Sequence, residues 1–449
     1  MRRAMAISIA VLATLALGAC GGGDDSSKDT ANQGSPSSGG GEPVDLTFWT
    51  GFTQRELKVI KKVVGEFESA HPNIHVKVVG GIDDDKIIAS IRGGNAPDVA
   101  HSFTSDNTGA FCPSGAWIDL APYMQRDGIS DDIFPEAPRN YTQFEGKRCA
   151  LPMLADVYGL YYNQAMFDKA GLSGPPKTMS ELMEYAKKLT VRNSDGSLKV
   201  VGIDPMDGFY ENAAAHWGPS WGADWIDESG KSSFASDPGW AEMLQWQKEL
   251  IDFYGHEDLV RWQAAAGDEF SPSNAFEREK AAMNLDGEWR VAFINDETPD
   301  LEYGTAPMPV DDDQPDLYGS GYTTGNIVGI PKTSEDQDEA WELLKYLTTD
   351  DHALAALANG ILNVPTTKTS LESDELDLDP KFRVFLDIFA HPETRTTPIT
   401  VAGSANQEIF DAFVTKYQSG KVDDLQGGLA EADEQVDAQL ANAGGGDVP

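Results

Sequence analysis

Residues 44–79 read Val-Asp-Leu-Thr-Phe-Trp-Thr-Gly-Phe-Thr-Gln-Arg-Glu-Leu-Lys-Val-Ile-Lys-Lys-Val-Val-Gly-Glu-Phe-Glu-Ser-Ala-His-Pro-Asn-Ile-His-Val-Lys-Val-Val, and they decide the fold class. Val44, Leu46 and Phe48 alternate with Asp45, Thr47 and Trp49, the two-residue period of a strand. Thr53-Gln-Arg-Glu56 has the spacing of a capping box and opens a helix with Leu57, Ile60, Val63, Val64 and Phe67 on one face. Pro72 stops that helix, and Ile74, Val76 and Val78 alternate again. Strand, helix and strand at this spacing predict a crossover unit with parallel strands, hence an α/β protein.

The pattern continues outward. A second helix is expected over Lys86 to Arg92, closed by Gly93 and Gly94, with Ala96-Pro-Asp-Val99 leading into a third strand. Thr178 to Glu181 and Ser334 to Gln337 also have capping-box spacing, and Asp237-Pro238 reads as an N-cap with Pro at the first helical position. Leu425, Leu429, Ala432, Val436 and Leu440 mark one face of a long last helix, with a frayed end from Gly444 to Pro449. No period of about 20–50 residues recurs, which argues against a solenoid or propeller.

Composition limits the partners. The chain has 449 residues, with 34 Lys+Arg against 73 Asp+Glu and a formal net charge of −39. At roughly 150 residues per domain this is two or three domains. So acidic a surface repels nucleic acid, which needs basic side chains to displace counterions, and repels anionic lipid surfaces. Three Cys exclude a disulfide scaffold and a cysteine zinc cluster.

Arg2 and Arg3 precede an apolar stretch from Ala4 to Leu17, too short to span a bilayer but suited to an export signal over residues 1–19. Leu17-Gly-Ala-Cys20 resembles a bacterial lipobox, which implies cleavage before Cys20 and a lipid on its thiol. The Gly-, Ser- and Asp-rich run that follows, within 20–43, has the composition of a tether. These features predict a body held on the extracytoplasmic face, touching the membrane only through its lipid. In that oxidising setting Cys112 and Cys149 are expected to pair, which stabilises by about 4 kcal/mol on a chain-entropy basis.

Several ordered segments together carry a family resemblance: Leu46-Thr-Phe-Trp49, Gly93-Gly-Asn-Ala-Pro-Asp-Val99, Leu151-Pro152 followed by Gly159-Leu-Tyr-Tyr-Asn-Gln-Ala-Met-Phe167, and Lys280-Ala-Ala-Met283 with Gly287-Glu-Trp289. From about Leu46 to Leu440 the chain resembles the extracellular solute-binding proteins of ABC importers, the sugar-binding group related to maltose-binding protein. The resemblance implies a two-lobe periplasmic-binding-protein-like fold, each lobe discontinuous in sequence, with the ligand cleft at the hinge. It implies lobe 1 over 44–153 plus 302–348 and lobe 2 over 156–298 plus 350–442. Such a protein is expected to be a monomer without cofactor or metal. It captures a mono- or oligosaccharide by hinge closure and passes it unchanged to the transmembrane subunits of an ABC permease.

A sugar presents apolar C–H faces and a rim of hydroxyls, so its site needs aromatic platforms beside polar side chains. Trp49 ends the first strand. Trp217 and Trp221 lie in His216-Trp-Gly-Pro-Ser-Trp-Gly-Ala-Asp-Trp225, whose Gly and Pro predict a loop, and Trp289 follows Gly287. Trp240 and Trp246 fall on a helix and are read as packing, as is Trp341. Asp156 and Tyr158 are expected to face the cleft from the crossover, with Ser105 and Asp106 after the third strand. Tyr322 is expected in a Gly-rich turn, and Arg395 resembles a family position near the cleft. An Arg there suits vicinal hydroxyls or a phosphate, so a receptor for glycerol phosphate is one alternative.

The other alternative is a secreted glycoside hydrolase using Asp286 and Glu288. Gly218-Pro-Ser-Trp-Gly222 matches a nucleophile-elbow string but lacks the strand before it. His71 and His75 are separated by the helix-breaking Pro72, so no metal pair is expected. Asp83, Asp84 and Asp85 read as a solvated helix start.

Overall fold

The computed structural model describes residues 42–444. The expected signal, Cys20, the tether and the last few residues fall outside them. Among the described residues there are ten strands: β1 (Val44–Trp49), β2 (Ile74–Val79), β3 (Val99–Ser102), β4 (Leu151–Asn163), β5 (Val191–Arg192), β6 (Leu198–Val200), β7 (Met283–Gly287), β8 (Tyr303–Ala306), β9 (Thr323–Gly329) and β10 (Val364–Pro365). The first three form the expected parallel unit, β1 pairing with both β2 and β3. The helix Gln54–Ala70 crosses between β1 and β2 and buries Ile60, Val63, Val64 and Phe67.

The 13 residues of β4 organise the molecule. Their first half pairs antiparallel with β9 and β10, extending the sheet in the order β10-β4-β9-β3-β1-β2. Their second half pairs instead with β7 and β8. The exchange falls between Val157, opposite Thr323 of β9, and Tyr158, opposite Gly287 of β7. One strand therefore carries both sets of pairings.

Separate cores bear out the two-lobe architecture. In lobe 1, Leu46, Phe48, Ile60, Phe67, Leu154, Val328 and Trp341 pack on one side of the sheet, and Phe111, Trp117, Tyr141 and Ile327 pack on the other. Cys112 and Cys149 are bonded in that second layer, with Cα atoms 5.5 Å apart. Lobe 2 packs Tyr161, Phe167, Trp217, Trp240, Leu285, Phe385 and Phe410.

Several expectations change. Tyr303, Ala306 and Met308 join the lobe 2 core because β8 pairs with the far half of β4, although 302–348 was expected in lobe 1. Ala353, Leu357 and Ile361 of the helix Asp351–Ile361 join the lobe 1 core, although 350–442 was expected in lobe 2. The side chain of Thr53 makes no cap bond. Ser334 donates to Asp98 at 2.8 Å instead of capping, and Asp336 takes the N-cap position. Asp237 caps its helix as expected, accepting from the N–H of Gly239.

Candidate functional site

The site grows from the strand exchange. Asp156 is half-buried, one residue before the switch. Its Oδ1 accepts from Asn363 Nδ2 at 2.7 Å and from Asn326 Nδ2 at 3.4 Å. Asn326 comes from β9, and Asn363 immediately precedes β10. Glu288, just past β7 and fully buried, accepts from the same Asn363 Nδ2 at 2.6 Å and from the N–H of Val157 at 2.7 Å. Behind Asn326 stands His101 of β3, its Nε2 at 3.0 Å from Asn326 Oδ1 and its Nδ1 at 3.2 Å from Thr50 Oγ1. This chain of partners ties β9 and residues at or next to the ends of β1, β3 and β10 to the crossover.

Burial pushes the carboxyl of Asp156 up to about 7, against the hydrogen bonds from Asn326 and Asn363 and with help from the charge of Glu56. Burial first, then Asp156, drives Glu288 well above the usual carboxylate range. Burial lowers His101 to about 4 and so keeps it neutral at pH 7.

Beside the carboxylates lies a group of rings. Tyr158 is buried, with its ring centroid 3.9 Å from that of His216 and 5.4 Å from those of Trp289 and Tyr322. Tyr210 and Phe270 remain about half exposed, at 48 % and 47 %. They form a patch with Trp289, at centroid separations of 6.3 to 6.5 Å. The Nε1 of Trp289 is buried without a hydrogen-bond partner. Tyr322 donates to or accepts from Thr397 at 2.7 Å and also lines a cavity of ≈ 320 Å³. Glu136 and Asn140 of lobe 1 face Trp225, Thr394 and Arg395 across that cavity.

Residues 53–353 match the family of bacterial extracellular solute-binding proteins. The chain belongs to that family. Among its relatives is the maltotriose-binding protein of Pyrococcus abyssi, 22 % identical over 402 residues, covering 85 % of this chain and 83 % of the relative. Among solved structures, mannotriose-bound CpMnBP1 aligns with a TM-score of 0.74 at 24 % identity, over 87 % of this chain and 99 % of that one. The sugar-binding protein MalE from Xanthomonas citri aligns with a TM-score of 0.73 at 20 % identity, over 89 % and 98 %.

In this solute-binding protein the residues singled out from sequence divide into two sets. Asp156, Tyr158, Trp289 and Tyr322 meet at the crossover. Asp106 approaches from lobe 1 and accepts from Gln407 Nε2 at 2.9 Å, a contact with the lobe 2 helix Ala405–Gln418. Burial raises its carboxyl to about 6. Ser105 is buried beneath them, its Oγ at 3.1 Å from Thr324 Oγ1.

The second set sits elsewhere, apart from Arg395, which lines the cavity beside Tyr322. Trp217 and Trp221 are not on a loop. They lie on the short helix Ala214–Trp217 and the 3₁₀ turn Gly218–Trp221, with exposures of 0 % and 4 %, and both rings pack against Trp246. Their spacing of four residues places them on one inward face, which the Gly and Pro between them disguised. Trp49 is half-buried on the lobe 1 core, under the ammonium of Lys86 at 5.6 Å. Arg395 is half-buried and ion-paired with Asp224.

Sequence reading missed Tyr210, Phe270, Asn326, Asn363 and Gln407. Tyr210, Phe270, Asn363 and Gln407 lie in or beside irregular segments or at an element's start, where no periodicity marks them, and Asn326 sits in the middle of β9, where every residue is buried and no alternation marks it. The carboxylates weighed as a hydrolytic pair diverge. Asp286 lies at 2.7 Å from Arg290 Nε, in a fully buried cluster with Glu211 and Glu277, while Glu288 belongs to the crossover.

Proposed function

We propose that this chain is the solute receptor of an ABC-type importer and that it binds a mono- or oligosaccharide between its lobes, releasing it unchanged to the permease. The juxtaposition of Tyr158, Trp289, Tyr210 and Tyr322 with Asp106 and Asp156 at the strand exchange carries the reading. Ring faces cover the C–H surface of a sugar, and carboxylates and amides take its hydroxyls. Relatives named for maltotriose and mannotriose binding support the ligand class. The switch of β4 between two sets of partners supplies the hinge, and a ligand touching both lobes stabilises the closed form by its differential contacts.

The receptor reading includes a lipid on Cys20, a tether, and a monomeric body outside the membrane; among the described residues no helix is long and apolar enough to cross a bilayer. The engagement of Arg395 by Asp224, and the carboxylates gathered at the crossover, weigh against a glycerol phosphate ligand. The buried Arg290 partnered with Asp286 weighs against hydrolysis by that carboxylate.

A thermal-shift screen over neutral saccharides, amino sugars and sugar phosphates, followed by calorimetry and product analysis, tests the reading. A ligand at a hundred times its Kd is expected to stabilise by about 2.7 kcal/mol and to be recovered intact. No shift with any saccharide, or turnover of one, overturns it.

A further inference from the structure

The carboxylates at the crossover lack something that buried acids ordinarily have. Asp156 and Glu288 both lean on one amide, Asn363 Nδ2, at 2.7 and 2.6 Å, so two acidic groups converge on one point. Their other partners are the neutral groups Asn326 and the N–H of Val157. The charged and titratable groups of the elements packed around Asp156 do not compensate it. Glu56 adds further negative charge. His101 is neutral at pH 7, and Tyr141 is a buried phenol whose hydroxyl has no hydrogen-bond partner. Tyr158 and Tyr210 are phenols and carry no positive charge. Arg55, beside Glu56, is exposed and directs its guanidinium to the carbonyls of Gly360 and Ile361.

Both hydrogen bonds to Asp156 fall on Oδ1. Its Oδ2 has no partner among the described residues, and the side chain keeps partial exposure. The ring of Tyr158 and the half-exposed ring of Tyr210 stand nearby, with centroids 6.4 Å apart. A neutral hydroxyl fills one hydrogen bond at Oδ2 but brings no positive charge to offset a carboxylate there. An ammonium donates hydrogen bonds, neutralises the charge and is attracted to the aromatic faces.

We propose that the cleft prefers a saccharide carrying a basic amine, bound as its ammonium at Oδ2 of Asp156, with Glu288 and Asn363 as positioning residues that fix the Asp156 carboxylate. The proposal rests on the carbohydrate reading and narrows it. Burial favours the protonated form of both acids before binding; the incoming ammonium favours the carboxylate form of Asp156, whose proton passes to the buffer, while Glu288 keeps its own.

The test is titration calorimetry over a panel pairing neutral mono- to trisaccharides with their 2-amino analogues, at pH 6.5 to 7 in buffers of different ionisation enthalpy. The expected result is at least tenfold tighter binding of the amine-bearing member, weakened by salt, with net proton release for that member alone. Asp156→Asn is expected to erase the preference, weakening the amine-bearing members at least tenfold more than their neutral counterparts. Equal or tighter binding of the neutral members, or no proton release with the amine, overturns the inference and leaves the carbohydrate reading standing. Failure of every saccharide to bind overturns both. The wild-type comparison decides the matter even where Asp156→Asn does not fold.

Discussion

Gln407 Nε2 donates to Asp106 Oδ2 across 2.9 Å, joining the turn after β3 to the helix Ala405–Gln418 and hence the lobe 1 sheet to a helix of the lobe 2 core. A second contact lies close by. A Cβ built on Gly109 meets the carbonyl oxygen of Thr400 at 1.9 Å, so the short helix Thr108–Phe111 rests directly on the segment that carries Arg395. Both contacts join a segment that follows β3 to the segment from Thr400 to Gln407. Gln407→Ala removes a hydrogen bond to a carboxylate, worth about 1.5–3 kcal/mol. Gly109→Ala adds a methyl where none fits. Both variants are expected to have a larger radius of gyration than the parent by solution scattering with saturating saccharide, and to bind it tenfold or more weakly. Unchanged scattering profiles and affinities for both variants refute a role for these two contacts in holding the lobes together.

The tryptophans separate packing from recognition. Trp217 is fully buried against Trp246, so Trp217→Ala leaves a cavity and is expected to cost about 3–5 kcal/mol in urea unfolding. Its effect on the affinity of the folded fraction is expected to be small. Trp289 is half-buried at the edge of the Tyr210 and Phe270 patch, so Trp289→Ala is expected to weaken ligand binding by about ten- to a hundredfold, from loss of about 1.5–3 kcal/mol of contact, with little change in unfolding. A reversal of the two phenotypes contradicts the assignment.

Why the fold was legible and the site only partly so follows from these residues. The crossover unit announces itself because a two-residue period and a 3.6-residue period can be counted in one short stretch from Val44 to Val79. The β4 segment reads as nearly continuous apolar character, since it is buried on both faces along 13 residues, and Asp156 interrupts that run visibly. Asn363 gives no such signal, because only the docking of β10 against β4 brings it to Asp156, 207 positions away. Two segments near the expected lobe boundaries pack on the other side for the same reason. Strand β8 and the helix Asp351–Ile361 take their side from pairing and packing, neither of which has a local signature. Trp217 and Trp221 misled because glycine and proline suit a short helix followed by a 3₁₀ turn as well as they suit a loop.

Cys112 and Cys149 close a loop with a sequence separation of 37, between the layer that holds Phe111 and Trp117 and the start of β4. Tying these points restricts the unfolded chain, and removal is expected to cost about 4 kcal/mol on the chain-entropy estimate. Replacing both with Ala is the cleaner variant, since it leaves no lone thiol. Guanidinium unfolding of the parent with and without reductant, alongside the double variant, checks the figure. Equal midpoints in all three remove the bond from the stability of lobe 1.

The pH dependence of stability has a sign that the crossover fixes. Asp156 has its carboxyl raised to about 7 in the fold, against roughly 3.9 for a free side chain. Between those values the folded chain holds a proton that the unfolded chain has released, so stability falls as pH rises from about 4 to 7, by at most about 1.4 kcal/mol per pH unit for such a group. Burial raises Asp204 and Asp411 to about 7 as well, and the net charge of −39 adds repulsion in the same direction. Unfolding free energy in urea is therefore expected to be higher at pH 5 than at pH 7.5. Asp156→Asn removes one titrating group and is expected to make the decline shallower while leaving the share from Asp204, Asp411 and net charge. A slope in the variant as steep as in the parent shows that Asp156 is ionised in the fold across this range, with a cation or solvent at its Oδ2 instead of a proton.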